Sequence, residues 1–193
     1  MSIYAIADLH LSFCPGIEKP MDIYGPRWYD HAERLKRNWC GLVKEHDTVV
    51  MPGDISWGLK LEEAKFDLEW VDALPGHKVI LKGNHDLWWN GITKLNKMYE
   101  SITFLQNDYY LAEGVYICGS RGWLTPDNDD YGAADEKIYR RELLRLRASF
   151  DKAKAEMKDS GGQILAALHY PPVSKLSSFS GFQQIFEEYG IRK

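Results

Sequence analysis

Short apolar runs alternate with stretches of helical period through the first half of the chain. Ile3-Tyr4-Ala5-Ile6-Ala7, Val49-Val50-Met51-Pro52 and Val79-Ile80-Leu81-Lys82 have the length and the aliphatic content of buried strands. Between the first two, Asp30 to His46 sets Ala32, Leu35, Trp39, Leu42 and Val43 on one face at three- and four-residue spacing. Between the second and third, Leu61 to Leu74 turns Leu61, Ala64, Leu68 and Val71 inward before Pro75-Gly76 stops the helix. A shorter helix is expected over Ile92 to Glu100. Such alternation predicts βαβ units, with these strands parallel and their crossovers right-handed.

The pattern then changes. Thr103 to Gln106, Tyr109 to Leu111 and Val115 to Cys118 read as strands separated by Asn107-Asp108 and Glu113-Gly114, which predicts an antiparallel segment. A long helix follows, from Glu136 to Lys158, with Tyr139, Leu143, Leu146, Phe150, Ala153 and Met157 as its core stripe. Ser160-Gly161-Gly162 ends it, Ile164 to Leu168 forms another strand, and Phe182 to Tyr189 another helix. Residues 12 to 29 hold three prolines and two glycines and show no period; long loops without structure in compact domains tend to be functional, so this one reads as a lid. Tyr170-Pro171-Pro172 and the Ser-rich segment 174 to 180 form a second loop over the same end of the strands.

The strands matter for what stands at their ends. The first runs into Asp8-Leu9-His10, the second into Gly53-Asp54, the third into Gly83-Asn84-His85-Asp86 and the last into His169. Loops at the carboxyl ends of strands form the ligand crevice of an open α/β sheet, and this mixture of oxygen and imidazole donors suits a hard or borderline divalent cation. Strand alternation would send Asp8 and His10 to one side and Leu9 to the other. Each motif has a plain reading: a polar pair ending a strand, an Asp or Asn in a turn. Their occurrence together and in order favours ligands.

Composition sets bounds on the partner. With 193 residues there is chain enough for one domain with a substantial core, and one domain is the expectation. A net charge of -4 argues against gripping nucleic acid or an anionic membrane by bulk charge. No apolar run approaches a membrane span, and the opening Met1-Ser2, without a basic or long apolar stretch, gives no expectation of a secretory leader. Cys14, Cys40 and Cys118 are odd in number and far apart, as befits reduced thiols in a cytoplasm.

DxH, GD, GNHD and a later lone His, in that order from Asp8 to His169, resemble the calcineurin-like metallophosphoesterase superfamily. The resemblance implies an α/β sandwich of two mixed β-sheets flanked by helices. It implies two divalent ions (Mn, Fe, Zn or Ni) that hydrolyse a small or nucleotide-like phosphomonoester or phosphodiester through a bridging hydroxide. Asp8 and His10 would hold the first ion, Asp54 would bridge, and Asn84 and His169 would hold the second. His85 would approach the phosphate and the leaving oxygen, with Asp86 orienting its ring.

The family's final GHxH does not follow Tyr189-Gly190-Ile191-Arg192-Lys193. That departure implies a C-terminal truncation with a strand missing, and it sustains an alternative reading as a metal-poor binding or regulatory module. Arg121 in Gly119-Ser120-Arg121-Gly122-Trp123 suits either a phosphate contact or a surface turn. Trp57, Trp88 and Trp89 follow ligand turns and suit either pocket wall or core. His31, His46 and His77 read as surface or capping residues, His31 being the one that borders the lid.

Overall fold

A computed structural model describes residues 1–175 and 179–191, without the side chain of Asp159. Its contacts divide into two compact units, Met1–Phe104 and Leu105–Lys193.

The first unit carries β1 (Ile3–Ala5), β2 (Thr48–Met51), β3 (His77–Ile80) and β4 (Ile102–Phe104), paired in that order and parallel throughout. Between the strands run α1 (His31–Leu42), α2 (Leu61–Asp72) and α3 (Ile92–Leu95). Leu61, Ala64, Leu68 and Val71 of α2 are buried against β2 and β3, as their spacing predicts. Full burial of side chains such as Leu68 and Val71 is worth about 1.5–3 kcal/mol each. Glu63 starts α2 by accepting from the backbone N–H groups of Leu59 and Lys60 at 2.7 and 3.1 Å.

Several expectations fail in this unit: the helix expected over Ile92 to Glu100 stops at Leu95, and His77, read as a surface or capping residue, opens β3 with its ring on the Thr103 hydroxyl. The segment at Thr103 does not open an antiparallel meander: β4 lies beside β3 in parallel, because a helix and its turns intervene and allow a crossover. Leu42, placed on the inner face of α1, is exposed, whereas Ala32, Leu35, Trp39 and Val43 join the core.

The second unit contains β5 (Tyr109–Ala112), β6 (Val115–Ser120), α4 (Ala133–Ser160), β7 (Gln163–Leu168) and α5 (Gly181–Glu188). Its sheet is mixed: β5 and β6 form the predicted antiparallel pair, and β7 runs parallel to β6. The whole stripe from Tyr139 to Met157 packs on this sheet with Phe182 and Ile185 of α5. Burial pushes the Cys118 thiol up to about 12, which suits a structural residue. Part of the Ser-rich segment, residues 176–178, lies outside the described residues, as do Arg192 and Lys193. No helix among the described residues is long and apolar enough to cross a membrane.

Candidate metal centre

Three turns of the first unit are laced together just beyond its strands. β1 ends at Ala5, and the chain from Asp8 to Leu11 then runs beside residues 53–57. The N–H groups of Asp8, His10 and Leu11 donate to the carbonyls of Gly53, Asp54 and Ile55 at 3.1, 3.0 and 2.9 Å, and Trp57 N–H returns a bond to Leu11 at 2.9 Å. The second turn meets the third through Gly53 and Gly83. A Cβ on Gly83 would stand 2.0 Å from Asp54 Oδ1, and one on Gly53 would stand 2.3 Å from Gly83 N, so neither position has room for a side chain.

The lacing brings carboxylates and imidazole together. His10 Nε2 lies 3.7 Å from Asp8 Oδ1 and 3.8 Å from Asp54 Oδ2, and donor atoms of the three residues all fall within 4.8 Å of one another. Six non-glycine residues among those described have positive φ, and three of them are Asp8 (60°), His10 (46°) and Asp54 (56°). Left-handed backbone at such residues costs roughly 1–3 kcal/mol each and persists where surrounding structure imposes it. Asp8 and His10 thus meet by way of turns and not by the strand alternation expected of them, while Leu9 and Leu11 are buried in the core.

Asp54 is held from two directions. Its Oδ1 accepts the His85 N–H at 2.8 Å, and its own N–H donates to Asp86 Oδ2 at 2.8 Å. Asp86 is fully buried and accepts three further bonds, from Gly83 N–H at 2.7 Å, Ile55 N–H at 3.0 Å and Trp88 Nε1 at 3.1 Å. Burial, helped by the neighbouring Asp54 carboxylate, pushes its carboxyl up against the Gly83, Ile55 and Asp54 N–H groups, which favour the ionised form. The expectation that Asp86 orients the His85 ring therefore needs correction: its oxygens are taken by four other groups, and it fixes the backbone that aims Asp54. The His85 ring is exposed and lies edge-on to His10 at 5.6 Å and tilted to Trp57 at 4.8 Å.

The predicted lid sits over this floor. Residues 12–29 contain two 3-10 turns, Met21–Tyr24 and Pro26–Trp28, and are tied at both ends. Phe13 N–H donates to Asp67 Oδ1 at 2.7 Å, and Trp28 meets His31 edge-on at 5.5 Å. His31 Nε2 is 3.0 Å from the Leu9 carbonyl, so this histidine joins α1 to the first ligand turn. Met21, Tyr24, Trp28 and Trp57 line a cavity of about 410 Å³ with Asp8, His10 and His85. Of the three tryptophans, Trp57 is wall and stacks on His10 at 4.7 Å, while Trp88 and Trp89 are core.

The family profile for calcineurin-like phosphoesterases matches residues 1–192. The chain belongs to that family. Among solved structures, it resembles the phosphopantetheinyl hydrolase of Mycobacterium tuberculosis with a TM-score of 0.53 and 13% identity, covering 97% of this chain and 78% of the other. It also resembles a protein of unknown function from Aquifex aeolicus with a TM-score of 0.47 and 20% identity, covering 87% and 90%. At 13% identity the likeness to the mycobacterial structure concerns the fold alone. A comparison with curated proteins finds no match.

Divalent metals are part of calcineurin-like phosphoesterase chemistry, and the residues present fit one. Two carboxylates and an imidazole converge, and His10 carries a buried Nδ1 with no hydrogen-bond partner among the described residues. Asn84 stands in the third turn, half-buried beside His85. His169 and Arg121 belong to the second unit. His169 follows β7, its N–H donating to the Arg121 carbonyl at 3.1 Å. The Arg121 guanidinium is largely buried, pairs with the fully buried Glu142 at 3.5 Å and lies 4.3 Å over Trp123, so it is not the surface residue that the turn reading expects.

Sequence reasoning passed over Asp67 and Ser56 in this phosphoesterase. The Ser56 hydroxyl donates to Asp67 Oδ2, and burial pushes the Asp67 carboxyl up. One acidic side chain of α2 thereby holds both the turn bearing Trp57 and the start of the lid. The signal was present: Asp67 falls three residues after Ala64 and four before Val71, on the apolar face of α2.

Proposed function

We propose that this chain hydrolyses a small phosphate ester, monoester or diester, with two divalent ions. The convergence of Asp8, His10 and Asp54 from two strained turns supports the reading, because strain held at three neighbouring donors is expected of a built site. Bound ions would supply Lewis acidity toward the phosphoryl oxygens and lower the pKa of the attacking water. Asp8, His10 and Asp54 hold the metal. For Asn84 and His169, the ligand role rests on the resemblance of their motifs.

The remaining chemistry belongs to the protein. His85, exposed at the cavity floor with its backbone pinned to Asp54, gives a proton to the departing alkoxide and regains one from water. The P–O bond to the leaving group breaks as the bond to the water oxygen forms, so the products are an alcohol and a phosphate bearing one less ester group. Trp57 packs on the His10 ring and limits its rotation.

The test is hydrolysis of p-nitrophenyl phosphate and bis(p-nitrophenyl) phosphate before and after chelation and reloading with Mn²⁺. The rate should depend on metal. Asp54→Asn should abolish that dependence, and His85→Ala should slow turnover of phenyl phosphate, whose leaving group needs a proton, roughly 10²–10⁴-fold. An unchanged metal-dependent rate in either variant refutes these roles, and the ratio of the two substrate rates assigns monoesterase or diesterase.

A further inference from the structure

The cavity of the first unit has two unlike halves. Its floor is Asp8, His10 and His85, and its remaining lining is Met21, Tyr24, Trp28 and Trp57. A phosphate needs only the floor. Four large apolar side chains above it, three of them aromatic, answer to some other part of a ligand.

Met21 is buried, Trp28 and Trp57 are half-buried, and Tyr24 stands open to solvent. Tyr24 is 64% exposed although it is a large ring, and Ile23 beside it is 75% exposed. The segment that carries Tyr24 and Trp28 is nonetheless fixed, by Phe13 on Asp67, by Trp28 on His31, and by the Arg34 guanidinium on the Arg27 carbonyl. Held, solvent-facing aromatics present flat surface at little further entropic cost on binding. Lys19 of the same segment places its ammonium 5.6 Å from the centre of the Trp57 ring, a positive charge beside the metal-site floor. A cavity of about 410 Å³ has the size of a small-ligand site.

We propose that residues 12–29 form a preformed aromatic wall that selects phosphate esters carrying a flat aromatic group, an aryl ring or a nucleobase, placed against Tyr24, Trp28 and Trp57. This deepens the reading of the site as a phosphohydrolase centre and rests on it. An extended aliphatic phosphoester would leave those rings without a matching face.

Binding tests the wall apart from chemistry. Calorimetry on the full chain with Mn²⁺ would compare adenosine 5′-monophosphate with ribose 5-phosphate, which has the same phosphate and sugar and lacks the base. The nucleotide should bind roughly ten-fold tighter or more, the scale of base stacking on an aromatic side chain. In Tyr24→Ala and Trp28→Ala the ratio of the two affinities should fall toward one, and in Tyr24→Phe and Trp28→Phe it should persist. Equal affinities in the wild type, absence of nucleotide binding, or an unchanged ratio in both alanine variants would each overturn the wall. Nucleotide selectivity without hydrolysis of any ester would instead overturn the hydrolase reading and leave the wall standing.

Discussion

Asp86 ties the second turn to the third. Its buried carboxylate collects four donors from residues 54, 55, 83 and 88. Asp86→Ala should cost more than about 3 kcal/mol in denaturant unfolding, because it leaves several buried donors without acceptors. Asp86→Asn, which keeps one carbonyl oxygen, should cost less. Lys78 offers a test by pH. It is fully buried, its ammonium donates to the carbonyls of Asp72 and Leu74 at the end of α2, and burial pushes it down to about 8. Between that value and the ordinary 10.5 the unfolded chain binds more protons than the folded one, so this group makes stability rise with pH through the window. Unfolding titrations of wild type and Lys78→Met should differ in slope there by about 1 kcal/mol per pH unit. Equal slopes would refute the buried, depressed lysine.

At the scale of elements, the turns are packed as tightly as the core. Gly83→Ala should push its methyl into the Asp54 carboxylate, 2.0 Å from Oδ1, and so lower both the melting temperature and the metal content measured on the purified protein. Retained metal stoichiometry would show that the turns can separate. The elements themselves were legible wherever burial is one-sided: α2 begins at Leu61 as its pattern predicts, and the α4 stripe is core along its whole length. Reading failed where the decision was not local. β4 joins β3 in parallel because the chain crosses over before it, which no turn dipeptide encodes, and Leu42 is exposed because α1 ends there and the chain turns away. The lid has no period, so its two 3-10 turns and its tether to Asp67 were not legible from its own residues.

For the molecule as a whole, the metal reading has a thermodynamic consequence. An ion that binds only the folded chain stabilises it by about 2.7 kcal/mol at a hundred times its dissociation constant. Added Mn²⁺ should therefore raise the thermal midpoint of the wild type in calorimetry and leave that of Asp54→Asn unmoved; a wild type indifferent to Mn²⁺ would refute the centre. The sequence by itself determined which residues could serve: the order of DxH, GD and GNHD motifs, the strands that end in them and the family are properties of spacing and periodicity, which are local. Only the tertiary structure decided how three of them meet, through left-handed backbone at Asp8, His10 and Asp54, and that Asp86 braces turns in place of a histidine ring. It also decided that Trp57 walls the cavity while Trp88 and Trp89 fill the core. Those outcomes depend on contacts between segments distant along the chain, and the free energy of such contacts is set by packing and hydrogen bonding that no single stretch of sequence contains.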